Sequence, residues 1–169
     1  MFDASPTLYL HADTEHAHFL LVLGTNPKIS NRGHNATDTF KMLAEDASRT
    51  VVVVDPRETE TTRTATRHLR ARPGTDAYLL LAMAAIIVRE GLAADAFLAA
   101  RTIGLDVLRV ELGRVDVEAM ARRCGLDVEA VRDTARGFAT AESAAIFFDL
   151  GVEQSPFSTL NAYLIRVLL

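Results

Sequence analysis

Three short stretches of the chain place polar, turn-forming residues where chemistry could be done. Gly24-Thr25-Asn26-Pro27-Lys28-Ile29-Ser30 follows the apolar run Phe19–Leu23, and Asp55-Pro56-Arg57 follows the apolar residues 51–54. Arg72-Pro73-Gly74-Thr75-Asp76 immediately precedes a strongly apolar segment. Such residues gathered where parallel strands stop are what an open α/β sheet needs to hold a nucleotide-like ligand. The chemistry they imply is binding, and the ligand they imply is a dinucleotide-like cofactor.

The elements that must position these turns can be read from hydrophobic pattern. Residues 19–23 and 51–54 are short, bulky and nearly all apolar, as strands covered on both faces are. Between them, residues 35–47 carry Phe40, Met42, Leu43 and Ala44 among polar positions, which predicts the crossover helix of a right-handed βαβ unit. A polar stretch rich in Thr and Arg follows at 58–67, then a short strand at 68–71. Asp76 is placed to cap a helix over 77–89 that is apolar nearly all round until Glu90-Gly91, and this predicts the most buried helix.

Residues 93–141 break into short helical pieces at Gly104, Gly113 and Gly125, expected to cover one side of the sheet. In the last piece Val128, Val131, Ala135 and Phe138 share a helical face behind a cap at Asp127. Ala144-Ala145-Ile146-Phe147-Phe148 predicts another buried strand. The final helix, 158–169, meets no stop signal and suggests an element that continues further. The expected architecture is a single Rossmann-like, doubly wound α/β domain: a mostly parallel sheet with helices on both faces.

Composition narrows the function. With 169 residues, 49% of them hydrophobic, one substantial core can form. A net charge of -4 argues against sequence-independent nucleic-acid binding, which rests on many contacts from Lys and Arg to phosphates. Cys124 is the only cysteine, so no internal disulfide, cysteine-based zinc site or iron–sulfur cluster can be built by this chain alone. Its place before Gly125 predicts a half-buried structural thiol at a helix end. The N-terminus lacks the features of a secretory leader, and residues 77–88, the longest apolar run, fall short of the roughly 20 needed to cross a bilayer. A cytoplasmic polypeptide without membrane insertion is expected.

Taken together, the three turns resemble those of the molybdopterin oxidoreductases of the dimethyl sulfoxide reductase and formate dehydrogenase type. The resemblance runs from Leu20 to the last residue: Gly24-Thr25-Asn26-Pro27 with Ser30 is similar to the family's first cofactor loop, Asp55-Pro56-Arg57-Glu58-Thr59-Glu60-Thr61 to its second, and Arg72-Pro73-Gly74-Thr75-Asp76 to its third. It implies a bis-molybdopterin guanine dinucleotide cofactor with molybdenum, held by one internal domain of a longer enzyme. The iron–sulfur cysteines and the molybdenum ligand would lie upstream and a C-terminal barrel downstream. No catalytic or metal-binding residue is then expected in this chain, which would depend on those missing N- and C-terminal domains.

Under this resemblance, Gly24, Thr25 and Asn26 bring backbone and amide groups to the cofactor's phosphates, Pro27 holds the turn and Ser30 donates a hydroxyl bond. Alone, that loop reads as an ordinary strand-to-helix turn. Asp55 would accept from hydroxyl or ring N–H groups while Arg57 and Thr59 reach phosphate or ribose, the alternative being an Asp55–Arg57 salt bridge. Pro73 and Gly74 shape the third turn, from which Asp76 would pair with the guanine N1–H and exocyclic amine, or else cap its helix. Gln154 resembles a family residue near the pterin. One departure is that Ala65-Thr66 stands where the family often has Ala-Asp, removing a carboxylate.

Competing readings fare worse. No Gly-x-Gly-x-x-Gly follows a strand, and Asp55 lies 31 residues beyond Gly24 rather than the roughly 20 of a nicotinamide-binding fold. His11, His16, His18, His34 and His68 show no metal-binding spacing. A second function remains open: a stand-alone, non-catalytic module that binds guanine nucleotide or pterin cofactor as a carrier. Leu160, Leu164, Ile165, Val167, Leu168 and Leu169 form an apolar terminal stretch expected to drive self-association.

Overall fold

The structure is a computed structural model that describes residues 12–30 and 35–169; His11 and His34 lie outside the described residues. Strands β1 (Phe19–Leu23), β2 (Thr50–Val54), β3 (Arg67–Leu69) and β4 (Ala144–Phe148) form one sheet in the order β3-β2-β1-β4. Every strand pair is parallel. Leu23 stands opposite both Val54 and Phe148, and Val54 opposite Leu69, so the strands stop level with one another. Gly24, Asp55, Arg70 and Asp149 therefore leave the sheet along a single edge.

Because successive side chains in a strand point to opposite faces, the apolar runs supply two separate cores. Leu20, Val22, Val51, Val53, Ala145 and Phe147 meet Phe40 and Leu43 on one face. These last two come from α2 (Ala36–Glu45), which follows the single turn α1 (Pro27–Ser30). Phe19, Leu21, Leu23, Val52, Val54 and Ile146 line the other face, under α3 (Asp76–Arg89). Helices on both faces of a parallel sheet make this a Rossmann-like, doubly wound α/β fold. As its all-round apolar sequence requires, α3 buries Leu79, Leu80, Met83 and Ile86 completely or nearly so.

The segment after α3 departs from expectation in part. The helices α4 (Asp95–Arg101), α5 (Leu105–Gly113), α6 (Val117–Cys124) and α7 (Val128–Thr140) do form a series of short pieces. Only the later two cover the sheet side, through Val117, Ala121, Val131, Ala135 and Phe138. In α4 no residue is buried, and in α5 only Leu112 is, because Phe97, Val107 and Val110 face outward, as does Ile103 between the two helices. Asp127 caps α7 as predicted, its carboxylate accepting from the Ala130 N–H at 3.0 Å, and Asp116 caps α6 in the same way.

Four smaller expectations are corrected. β3 ends at Leu69, not at residue 71, because the Ala71 N–H turns back onto the Leu69 carbonyl at 2.9 Å. Asp76 does not cap α3 but is its first residue, with Thr75 in the cap position. Cys124 is fully buried rather than half-buried. Beyond the short α8 (Leu150–Glu153), the final helix α9 (Ser158–Leu168) buries Leu164 and Ile165 in the core, leaving Leu160, Tyr163 and Leu169 exposed. Among the described residues no helix is long and apolar enough to cross a membrane.

Candidate functional site

The sheet's connections leave β1 toward β2 on one side, while β4 flanks it on the other, so the tips of β1 and β4 form a topological switch point. Two glycines close it. Gly24, at φ +57, accepts a hydrogen bond at its carbonyl from the Gly151 N–H at 3.0 Å. A Cβ on Gly151 would lie 2.4 Å from the Gly24 oxygen, and one on Gly24 would lie 2.7 Å from the Val152 nitrogen. Both neighbours are backbone, so neither position has room for a side chain.

The rest of the first loop is tied to the second. The Asn26 amide donates to Glu60 at 2.8 Å, and its oxygen accepts from the Thr61 hydroxyl at 2.7 Å. That bond from Asn26 holds the Glu60 carboxyl below its ordinary pKa. Thr61 is fully buried, and its hydroxyl also accepts from the Lys28 N–H. Thr25 and Pro27 are buried, Pro27 as the first residue of α1, and Ser30 is exposed at that helix's end. Proline suits a first helical position because its missing N–H would have no partner there.

In the second loop the Asp55 carboxylate accepts from the Arg57 backbone N–H at 2.8 Å. This turn replaces the salt bridge weighed from sequence: among the described residues the Arg57 guanidinium makes no ion pair. His68, from the neighbouring strand, has its Nε2 2.8 Å from the Asp55 carbonyl and so donates to it. Thr59 is buried, with its N–H and hydroxyl both engaged with Thr62. Its hydroxyl therefore serves the loop and does not open on the cleft described next.

The third loop is a turn closed by the Thr75 hydroxyl on the Arg72 carbonyl at 2.6 Å, with Gly74 at φ +74 and packed toward Pro156. Together the loops enclose a cleft of about 220 Å³ at the carboxyl edge of the sheet. Six of the twelve sequence-predicted residues line it: Gly24, Asp55, Arg57, Pro73, Gly74 and Asp76. Thr25, Asn26, Pro27, Ser30, Thr59 and Gln154 do not; Gln154 is exposed at the end of α8. Sequence reasoning missed Gly151, for which a glycine three residues past an apolar strand was the available signal.

Four charged residues, Asp55, Arg57, Arg72 and Asp76, gather at the cleft. Burial pushes the Asp76 carboxyl above its usual pKa, and the nearby charge of Asp55 adds to the effect. Two arginines, Arg57 and Arg72, line the same cleft as these two acids. Paired carboxylates fit the N–H donors of a heteroaromatic ring, and guanidinium groups fit phosphate oxygens. At about 220 Å³ the space is below the roughly 300 to 1,000 Å³ of a site enclosing a drug-sized ligand. Among the described residues no three His, Cys, Asp or Glu side chains converge to hold a metal ion.

Fold and cleft thus define an open parallel α/β domain with a cleft at the carboxyl edge of its sheet. The family model for molybdopterin oxidoreductases matches residues 5–161, and the chain belongs to that family. It is 30% identical over 149 residues to the F420-dependent formate dehydrogenase 2 subunit alpha of Methanococcus maripaludis, covering 88% of this chain and 22% of that protein. Formate dehydrogenase H of Escherichia coli is 34% identical over 128 residues, covering 72% of this chain and 18% of its own length. Among solved structures, acetylene hydratase from Pelobacter acetylenicus superposes with a TM-score of 0.82 at 26% identity, over 94% of this chain and 22% of that one. The chain therefore spans about a fifth of the length of the curated relatives it matches. Membership implies a molybdopterin cofactor, and the donor set of the cleft is chemically suited to part of it.

Proposed function

We propose that this chain is the cofactor-binding part of a molybdenum-dependent oxidoreductase, and that its cleft receives the guanosine and phosphate end of molybdopterin guanine dinucleotide. The observation that carries this reading is the convergence of Asp55, Arg57, Arg72 and Asp76 with the bare backbone of Gly24 and Gly74 in one cleft. Asp76 presents two acceptor oxygens, which match the adjacent N1–H and exocyclic amine of guanine and of no other common base. Arg57 supplies charge-assisted bonds to phosphate, and the second acid, Asp55, accepts from a hydroxyl or ring N–H.

The bound cofactor would bring the redox chemistry at its metal; this chain's residues bind, orient and shield its nucleotide end. Catalysis by the whole protein then calls on a molybdenum ligand and an iron–sulfur relay supplied by other parts of a longer enzyme. The isolated chain is accordingly expected not to pass electrons from formate or nitrate to a dye.

Calorimetric titration of the full chain with guanosine diphosphate tests the assignment, with adenosine diphosphate as the control. Wild type is expected to prefer the guanine nucleotide, and Asp76→Ala to lose about tenfold to a hundredfold in affinity, the range for removing a bidentate base contact. Equal affinity for both nucleotides, or for both proteins, removes the guanine assignment.

A further inference from the structure

We propose that the last turn of α6, Cys124 with Gly125, positions the third loop and through it sets the geometry of the cleft. Four contacts converge there from a helix some fifty residues away in sequence. The Cys124 carbonyl accepts from the Arg72 N–H at 2.9 Å, and the Arg122 carbonyl from the Arg72 guanidinium at 3.4 Å. The Cys124 thiol donates to the Thr75 carbonyl at 3.4 Å, and the Arg123 guanidinium lies over the Tyr78 ring, 5.2 Å from its centroid.

Gly125 leaves the space in which Arg72 lies. Its backbone is left-handed at φ +71, and a Cβ there would come within 3.0 Å of Arg72 Nε and 3.3 Å of Arg72 Cγ. Arg72 must give by a few tenths of an ångström if that Cβ is added, and it lines the cleft directly. The thiol is completely buried, and burial raises its pKa, with the Asp76 charge adding, so it remains a protonated donor beneath the loop. The orphan carbonyls of a helix end are commonly satisfied by glycine-led turns, and here part of that capacity is diverted to hold a loop of another element.

The consequence for affinity rests on the nucleotide reading above, whereas the consequence for Asp76 does not. A matched pair of variants separates position from strain. Gly104 is also left-handed, at φ +83, but a Cβ there meets nothing within 4 Å. Gly125→Ala and Gly104→Ala therefore introduce the same kind of backbone strain, and only the first reaches Arg72.

The full chain of each variant is titrated with guanosine diphosphate by calorimetry, and the Asp76 carboxyl is titrated by carbon-13 NMR without ligand. Gly125→Ala is expected to shift the Asp76 titration and to weaken nucleotide binding about tenfold, as coupled neighbours do, while Gly104→Ala changes neither. In an Arg72→Ala background, Gly125→Ala is expected to add no further shift. Identical effects of Gly125→Ala and Gly104→Ala on the Asp76 titration overturn the proposal. If wild type binds no guanosine diphosphate, the nucleotide reading fails alone, and the Asp76 titration still decides whether α6 positions the loop.

Discussion

Two concavities of this molecule differ in size and in the side chains they bring together. The cleft at the carboxyl edge of the sheet is small, about 220 Å³, and brings two acids and two arginines against bare glycine backbone. A groove between α3, the α4–α5 pair and α9 is about 640 Å³ and is lined mainly by apolar residues such as Ile87, Phe97, Leu108 and Val167. Size favours the groove, but the chemistry favours the cleft. The groove exists because α4 and α5 pack loosely, burying only Leu112 between them, whereas the cleft exists because level strand ends force three loops together. The cleft is defined by what converges, and the larger space by what fails to pack.

The largest effect is expected at the glycine pair. Gly151→Ala drives a Cβ to 2.4 Å from a backbone oxygen that cannot move without shifting β1, and it should cost about 3 kcal/mol of stability. Denaturant melts measure this; a cost below about 1 kcal/mol would show that the switch point relaxes freely. Asn26→Ala removes the acceptor of a buried Thr61 hydroxyl and should cost about 1–2 kcal/mol in the same measurement. No loss would mean that the first and second loops do not depend on that clasp.

A smaller effect follows from the acid pair. Asp76 ionises against burial and against Asp55, so its folded-state pKa lies above its unfolded one. The stability that its proton contributes is complete below the ordinary carboxylate range and is lost as pH rises through the raised value. Nucleotide binding runs the opposite way, because only the ionised form offers two acceptors, so guanosine diphosphate affinity should fall as pH drops through that window. Asp76→Asn should flatten both trends; unchanged pH profiles in the variant would assign them to another group.

The groove gives the smallest stability effect. Ile103 and Val107 are exposed, so the double substitution Ile103→Ser with Val107→Ser should leave stability within about 0.5 kcal/mol per site. It should instead reduce concentration-dependent self-association, which exposed apolar surface including Leu160, Tyr163 and Leu169 is expected to drive. Sedimentation velocity over a range of concentrations reads this directly, and a wild-type monomer throughout would remove the association.

Much of the fold was legible because its signals are local. β1 is bounded by polar turns and has the limits that its apolar run predicts, and α3 and α7 follow from hydrophobic pattern and the cap at Asp127. The outward turn of Phe97, Ile103, Val107 and Val110 was not legible, since periodicity marks a face without saying whether anything covers it. Within the site, residue types announced Asp55 and Asp76, while the roles of Asn26 and Thr59 depended on partners 35 and 3 residues away. The thiol of Cys124 beneath Thr75 and the contact of Gly24 with Gly151 join distant parts of the chain, and no pattern in a single segment encodes them.

Nucleotide binding in the cleft is tested most directly by titrating nitrogen-15-labelled full chain with guanosine diphosphate and following amide shifts. Saturable changes are expected at Gly24, Arg57, Gly74 and Asp76, with the groove residues Phe97, Leu108 and Val167 unmoved. Saturable changes confined to the groove, with the cleft amides silent, would contradict binding in the cleft.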